Sequence, residues 1–210
     1  CSRLAAGLAG RGIAKGDRVA VLARNSHAFA ALRFALARLG AVLVPINFML
    51  KADEVAYILR HAGARLLATD SGLAALARAA AALGTAVQDF LWLPSEDPSE
   101  AEPGMASFDT LAATDAAPPA VDLAGGDLAQ IVYTSGTESN PKGAMLTHEA
   151  VAWQYVSCIV DAGIEVGDLM LHALPLYQRP MLMGVRAKLA NIGAKGMSRV
   201  SPWENVGYVK

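Results

Sequence analysis

Short apolar segments alternate with longer amphipathic segments over residues 2–83, and this alternation limits the folds open to the chain. Strand-like runs occupy residues 18–22, 41–46 and 65–69, and the second run is almost wholly apolar, which indicates a strand covered on both faces. Helical spacing, with caps at several ends, occupies residues 2–10, 26–40, 52–61 and 72–83. We therefore predict an α/β fold with a doubly wound, mostly parallel sheet and helices on both faces.

A run of small hydroxyl residues and glycine at 134–137 follows a β-branched and aromatic strand at 130–133. Because these residues carry no bulky side chain, several backbone N–H groups can approach one phosphate group at once. Lys142 adds a mobile positive charge of the kind that proteins use against phosphoryl groups, and Pro141 restricts the backbone just before it. The pattern predicts a strand, a phosphate-binding loop and then a helix behind Thr147.

The residue after the lysine distinguishes this loop from the best-known phosphate loop. The G-x-x-x-x-G-K-[ST] pattern requires Ser or Thr directly after its lysine, whereas Gly143 follows Lys142 here. A P-loop kinase or GTPase is therefore disfavoured. An ordinary solvated turn is the plain alternative for a loop of small polar residues.

Residues 133–143, with the sequence Y-T-S-G-T-E-S-N-P-K-G, resemble the phosphate-binding signature of adenylate-forming enzymes. This superfamily includes acyl-CoA synthetases, peptide-synthetase adenylation domains and luciferases. Glu138 and Ser139 replace the more common Thr and Gly, a variant that is similar to fatty-acyl-CoA-synthetase-like members. Segments within residues 16–57 also resemble the early part of these enzymes, and the resemblance covers most of residues 2–178.

The resemblance implies that the loop binds ATP together with Mg²⁺. Lys142 and Thr137 are the implied catalytic residues, and the Thr137 hydroxyl is also the implied Mg²⁺ ligand. Since a carboxylate repels a triphosphate, we expect Glu138 to point outward or toward the metal. The implied nucleotide-binding residues are Thr134, Ser135, Gly136, Thr137, Glu138, Ser139, Lys142 and Gly143.

Residues 174–177, with the sequence L-P-L-Y, resemble a second signature of the family, whose last residues line the acyl or adenylate pocket. Tyr177 and Gln178 are therefore implied to border the substrate pocket, with Gln178 in place of the common histidine. The implied enzyme is an ATP-dependent acyl-CoA ligase. It would activate a fatty or other apolar carboxylic acid as an acyl-adenylate and then transfer the acyl group to CoA.

Two alternatives to this ligase stay open. An amino-acid-adenylating domain would carry an anchoring aspartate further downstream. A non-catalytic truncated fragment or nucleotide-binding module is the other alternative. It is motivated by the divergent tail at 179–210 and by the absence of the ribose-binding aspartate and the C-terminal lysine that the resemblance implies.

Composition and charge restrict the partners and the compartment. The formal net charge of -1 gives no indication of a nucleic-acid partner. Cys1 and Cys158 show no CxxC spacing, which favours a reducing cytoplasm. No apolar run reaches the length needed to span a bilayer, so we expect no transmembrane segment. The sequence is also compatible with a homodimer.

A change in composition divides the chain into four expected regions. Residues 1–92 form an α/β sublobe, and residues 93–126 are an acidic, Pro- and Ala-rich stretch that we expect to be a solvated connector. Residues 127–178 form a strand, phosphate loop, helix and strand segment, and residues 179–210 form a divergent or truncated tail. Within the connector we expect a brief helical turn at Phe108–Ala112.

Several side chains are interpreted as structural. Val151, Tyr155 and Cys158 form one stripe of a helix expected at 148–162, and we predict that this stripe lies in the core. His27 and His61 lie on predicted helices without a second ligand at metal-binding spacing. We interpret both histidines as solvated or capping residues.

Overall fold

A seven-stranded sheet, mostly parallel, is the centre of the fold in a computed structural model. The structure describes residues 1–95, 100–134, 141–162, 170–171, 175–177 and 185–186. The strands of the sheet are β1 (Arg18–Leu22), β2 (Val42–Pro45), β3 (Leu66–Thr69), β4 (Asp89–Trp92), β5 (Ala106–Ser107), β6 (Leu128–Thr134) and β7 (Lys142–Thr147). Their spatial order is β5-β4-β3-β1-β2-β6-β7, and β7 alone runs antiparallel to its neighbour. A separate two-stranded sheet pairs β8 (Met170–Leu171) with β9 (Val185–Arg186).

Helices cover both faces of the large sheet. They are α1 (Ser2–Gly10), α2 (His27–Leu39), α3 (Ala52–Ala62), α4 (Ala74–Ala81), α5 (Phe108–Ala112) and α6 (His148–Ala162). Buried side chains of α1, α2 and α5 pack in one core cluster, and those of α3 and α4 pack in a second cluster. The chain moves from β1 to β2 and then back past β1 to β3, so its direction across the sheet reverses. The predicted doubly wound, mostly parallel sheet with helices on both faces is confirmed.

The ends and the buried face of α2 follow from its sequence. The Ser26 hydroxyl accepts a hydrogen bond from the backbone N–H of Phe29 at 3.2 Å, which satisfies a donor that the first helical turn leaves unpaired. Gly40 ends the helix with a φ of 67°, a left-handed conformation that costs other residues free energy. Phe29 and Leu36, at most 1% exposed, lie on the face that packs against the sheet.

A buried carboxylate closes the turn that follows β1. Asp70 lies directly after β3 and is 2% exposed, and its carboxylate accepts a hydrogen bond from the backbone N–H of Arg24 at 2.7 Å. The bond joins the carboxyl ends of two neighbouring parallel strands. The turn into α2 is therefore tied to the next strand of the sheet.

The segment predicted to be a solvated connector contributes to the sheet and to the core. Ala106–Ser107 pairs with β4 as strand β5, and neither strand was predicted. The predicted helical turn at Phe108–Ala112 is present as α5, and Phe108 packs in the same cluster as α1 and α2. Strand β5 could not be recognised from this acidic composition, because a short edge strand needs few apolar residues.

The stripe of α6 that we predicted to be buried is only partly covered. Val151 and Tyr155 are half-buried, and the side chain of Cys158 lies outside the described residues. Trp153 and Val160 are 62% and 72% exposed on the same helix. The predicted core position of this stripe is therefore wrong for Val151 and Tyr155.

Within the described ranges, no helix combines the length and the apolar character that a membrane-spanning helix requires.

A close backbone contact between α1 and α5 gives a test of this packing. A methyl group on Gly7 would lie 2.3 Å from the backbone carbonyl oxygen of Leu111, whereas one on Gly10 of the same helix would meet nothing within 4 Å. We expect Gly7→Ala to lower the free energy of unfolding by roughly 1–3 kcal/mol, since the helices must separate. Gly10→Ala should be neutral or stabilising by up to about 1 kcal/mol. Urea denaturation of both variants measures the difference, and equal effects would contradict the packing of α5 on α1.

Candidate functional site

The β6–β7 hairpin holds the two ends of the predicted phosphate loop. Its register pairs Tyr133 with Gly143 and Thr134 with Lys142. Residues 135–141 therefore connect two strands whose facing Cα atoms lie roughly 4.5–5.5 Å apart. We predicted a strand, a loop and then a helix, and this order is wrong because β7 stands between the loop and α6.

Two of the predicted nucleotide-binding side chains lie together at the mouth of the loop. Thr134 and Lys142 are opposite each other in the register, and both are exposed. Directly opposite residues of an antiparallel pair project from the same face of the sheet, so a hydroxyl and an ammonium group converge there. The remaining predicted loop residues lie outside the described residues: Ser135, Gly136, Thr137, Glu138 and Ser139.

Gly143 is the residue that allows a tyrosine ring to lie against β7. A methyl group on Gly143 would be 2.8 Å from Cγ2 of Ile131, 3.2 Å from Cζ of Tyr133 and 3.4 Å from its hydroxyl oxygen. Successive strand residues face opposite sides of a sheet, so this ring lies on the side away from Thr134 and Lys142. The glycine after the lysine therefore has a packing function, in addition to the implied approach to a nucleotide.

A cluster of three rings joins the hairpin to helix α3. Tyr57 and His61 lie four residues apart on α3, and their rings are stacked with centroids 5.6 Å apart and an interplanar angle of 21°. Nδ1 of His61 lies 2.7 Å from the hydroxyl oxygen of Tyr133. The His61 and Tyr133 rings meet edge to face, with centroids 5.7 Å apart. Below we call these three residues the Tyr57–His61–Tyr133 cluster.

Burial controls the protonation of the tyrosine in this cluster. Burial, together with the smaller effect of the nearby Tyr57, raises the pKa of Tyr133 from 10.0 to about 12. The phenol therefore keeps its proton at neutral pH. Its hydroxyl donates to Nδ1 of His61 when the imidazole carries its own proton on Nε2.

The predicted substrate residue Tyr177 lies against an aromatic side chain from the segment between β2 and α3. Tyr177 is 9% exposed and meets Phe48 edge to face, with centroids 5.4 Å apart. The backbone N–H of the preceding residue, Leu176, donates to the side-chain oxygen of Asn25 at 2.7 Å. This bond fixes residues 175–177 near the start of α2, and Gln178 lies outside the described residues.

A preformed metal site is not found in the part of the chain that the structure describes, since three or more His, Cys, Asp or Glu residues do not cluster there. The candidate Mg²⁺ ligand, Thr137, lies outside that part. Mg²⁺ prefers oxygen ligands and usually keeps several waters, so one loop hydroxyl together with substrate phosphates is a chemically suitable set. The donor types of the loop therefore fit the implied ion.

Sequence reasoning missed three residues at the site. His61 is exposed, as predicted for a solvated residue, but it bonds Tyr133. The spacing of Tyr57 and His61 on one face of a helix was a readable signal for a ring pair. The contacts of Asn25 with Leu176 and of His61 with Tyr133 join residues far apart in sequence, and no local pattern predicts such contacts.

The β6–β7 hairpin is thus a candidate site on an α/β sheet, and comparisons with known proteins identify the class of the chain. The chain matches the family model described as AMP-binding enzyme over residues 1–191. It therefore belongs to the AMP-binding enzyme family, and the predicted resemblance to adenylate-forming enzymes is confirmed.

Individual relatives are CoA ligases by name. The chain is 37% identical over 179 residues to the long-chain-fatty-acid–CoA ligase FadD13 of Mycobacterium tuberculosis, covering 84% of this chain and 33% of that protein. It is 34% identical over 181 residues to the feruloyl-CoA synthase of Amycolatopsis sp, covering 86% of this chain and 33% of that protein. This chain therefore spans 33% of the length of these curated relatives.

A solved structure supports the same class. The inhibitor-bound N-terminal domain of FACL13 from Mycobacterium tuberculosis superposes with a TM-score of 0.70 at 36% identity, covering 84% of this chain and 42% of that one. Both the sequence and the fold of the chain are thus similar to the N-terminal portion of an acyl-CoA ligase.

The raised pKa of Tyr133 gives a test of the cluster. The folded state favours the neutral phenol, so this contribution to stability is complete below the unfolded pKa of 10.0 and is lost as the pH rises toward about 12. We expect the free energy of unfolding to fall more steeply between about pH 9.5 and 11 in the wild type than in Tyr133→Phe, which has no proton to lose there. Denaturant titrations across this range measure both slopes. Parallel slopes would show that Tyr133 ionises freely.

Proposed function

We propose that this chain supplies the polyphosphate-binding part of an ATP-dependent acyl-CoA ligase. The register of the β6–β7 hairpin carries the proposal, because it brings Thr134 and Lys142 together at the mouth of the signature loop. The membership of the AMP-binding enzyme family and the CoA-ligase names of the relatives support the same activity. The proposed enzyme activates a carboxylic acid as an acyl-adenylate and then transfers the acyl group to CoA.

The first step requires charge stabilisation more than covalent help from the protein. A substrate carboxylate attacks the α-phosphate of ATP, pyrophosphate leaves, and negative charge is redistributed over phosphoryl oxygens. The Lys142 ammonium group and the Thr134 hydroxyl would contact these oxygens, with backbone N–H groups of residues 135–139. Thr137 would hold Mg²⁺, and the ion supplies additional charge neutralisation when it is bound.

The proposed acyl pocket is apolar and aromatic. Tyr177 is buried against Phe48, and the bond between Asn25 and Leu176 holds that segment in place. An aromatic wall favours the hydrocarbon part of a substrate, which supports a fatty or other apolar carboxylic acid. Gln178 is proposed as the next residue along this wall.

The cysteine content bears on the compartment of the proposed enzyme. A cytoplasmic location is supported by two cysteines without CxxC spacing. The formation of a homodimer remains a prediction.

Removal of the lysine charge tests the proposed function in the natural full-length protein. We expect Lys142→Met to lower the kcat/KM of acid-dependent ATP–pyrophosphate exchange roughly 10²–10³-fold, because one donor to the developing phosphoryl charge is lost. Lys142→Arg should retain part of the activity, since it keeps the charge but changes the geometry.

Lys15→Met is a matched control for this measurement. Lys15 pairs with Asp127 at 2.6 Å, just before the start of β6, while Lys142 faces its other end. The loss of an exposed ion pair costs roughly 0–1 kcal/mol of stability, so exchange should be close to wild type. If the wild type shows no exchange with any carboxylic acid, the proposed ligase activity is refuted.

The acyl pocket has its own test. We expect Tyr177→Ala to raise the KM for the carboxylic acid roughly 10–100-fold with little change in the KM for ATP, since an apolar contact to the acid is lost. Phe34→Ala is the control, because Phe34 is an aromatic residue of α2 that is already 50% exposed. Initial rates over a matrix of ATP and acid concentrations separate the two constants. A larger effect on ATP than on acid would contradict the assignment of Tyr177.

A further inference from the structure

We infer that His61 is a positioning residue for Thr134 and Lys142, at the mouth of the phosphate loop, and that it acts through Tyr133. The inference rests on the proposed function and extends it to helix α3, which carries no residue of the signature. Neither His61 nor Tyr57 belongs to the loop, yet the His61 ring contacts the tyrosine that immediately precedes Thr134, and the Tyr57 ring stacks on His61.

The hairpin needs such a support because of its place in the sheet. β7 is the last strand in the order and pairs with β6, and β6 pairs with β2 through Leu43 and Gln130. An edge strand has hydrogen-bond partners on one side only, and strand ends fray first. The signature loop begins at such ends.

The ring of Tyr133 is restrained on two sides, by His61 and by Gly143. Nδ1 of His61 lies 2.7 Å from its hydroxyl oxygen, and the imidazole is itself backed by the stacked ring of Tyr57. On the other side, Gly143 leaves no room for a substituent between its own Cα and the ring. The ring therefore occupies a slot between α3 and β7.

A fixed ring at this point also fixes the pair of residues that follows. Tyr133 and Gly143 are partners in the register, and the next pair is Thr134 with Lys142. Thr134 and Lys142 are each one peptide unit away from the restrained pair, so backbone rotation at the ends of β6 and β7 is restricted. Lys142 therefore loses part of its conformational entropy when the protein folds. Less entropy then remains to be lost when ATP binds.

The hydrogen bond suits a permanent restraint rather than a proton transfer. The half-buried phenol keeps its proton well above neutral pH, so it remains a donor throughout the range in which the enzyme would work. The position of the pair on the side of the sheet opposite Lys142 also separates it from the phosphates. His61 is thus assigned a positioning role and no catalytic one.

Variants of His61 and Tyr133 in the natural full-length protein test the inference. We expect His61→Ala to raise the KM for ATP in pyrophosphate exchange roughly threefold to tenfold, the effect of one lost hydrogen bond, with the KM for the carboxylic acid unchanged. Tyr133→Phe should give the same change, and the double variant should be no worse than either, because both remove one interaction. His61→Asn, whose amide can replace the Nδ1 contact, should recover most of the ATP affinity.

His27→Ala is the matched control, since His27 is an exposed helical histidine that meets the Phe108 ring edge to face at 6.0 Å. Its KM for ATP should remain at the wild-type value. Equal KM values for ATP in His61→Ala and the wild type would overturn the inference. So would a parallel rise in the KM for the acid, because a general loss of structure affects both substrates.

Equilibrium binding separates this inference from the proposed function. Calorimetric titration of ATP alone into each protein measures the affinity without any turnover. If the wild type binds ATP but shows no exchange, the ligase proposal is refuted, while weaker ATP binding by His61→Ala still supports the positioning role. If exchange is present and ATP affinity is unchanged in His61→Ala, the positioning role is refuted and the ligase proposal stands.

Discussion

The antiparallel pairing of β6 with β7 is the interaction on which the candidate site depends. The other strands of the large sheet are parallel and form a covered platform, with the two core clusters on opposite faces. The hairpin breaks this pattern at one edge, where backbone hydrogen bonds can close a loop over a short distance. A parallel neighbour would require a long crossover and could not bring Thr134 opposite Lys142. The chemistry proposed for the loop therefore requires a reversal of strand direction within a mostly parallel fold.

The parallel strands and their helices were predictable because their apolar residues follow regular strand and helix spacing. The apolar run around β2 and the capped, periodic α2 follow local rules, and the structure places both close to the predicted bounds. The signature at 133–143 was predictable for a different reason: small residues, a proline and a lysine are needed there whatever the surrounding core. The fold of the parallel sheet is therefore predicted by hydrophobic periodicity, and the loop is predicted by its residue types.

Edge elements were not predictable in the same way. β7 contains Gly143 and Ala144, which have low strand propensity, and none of its residues is buried, so it lacks the apolar signal of a central strand. β5 consists of two residues and follows an acidic stretch. Both strands exist because a neighbouring strand offers hydrogen-bond partners, and that is a tertiary effect. The bond between His61 and Tyr133 has the same origin, since its partners are separated by 72 positions.

The pairing of β4 with β5 has a consequence for the evolution and engineering of the chain. Leu91 and Ala106 are register partners, so the acidic stretch leaves the sheet and returns to it at adjacent points. The entropy of closing such an excursion increases only with the logarithm of its length. Insertions between β4 and β5 would thus cost little and leave the rest of the sheet in register. An affinity tag or a fluorophore attached there would report on the protein at the edge of the sheet opposite the nucleotide loop.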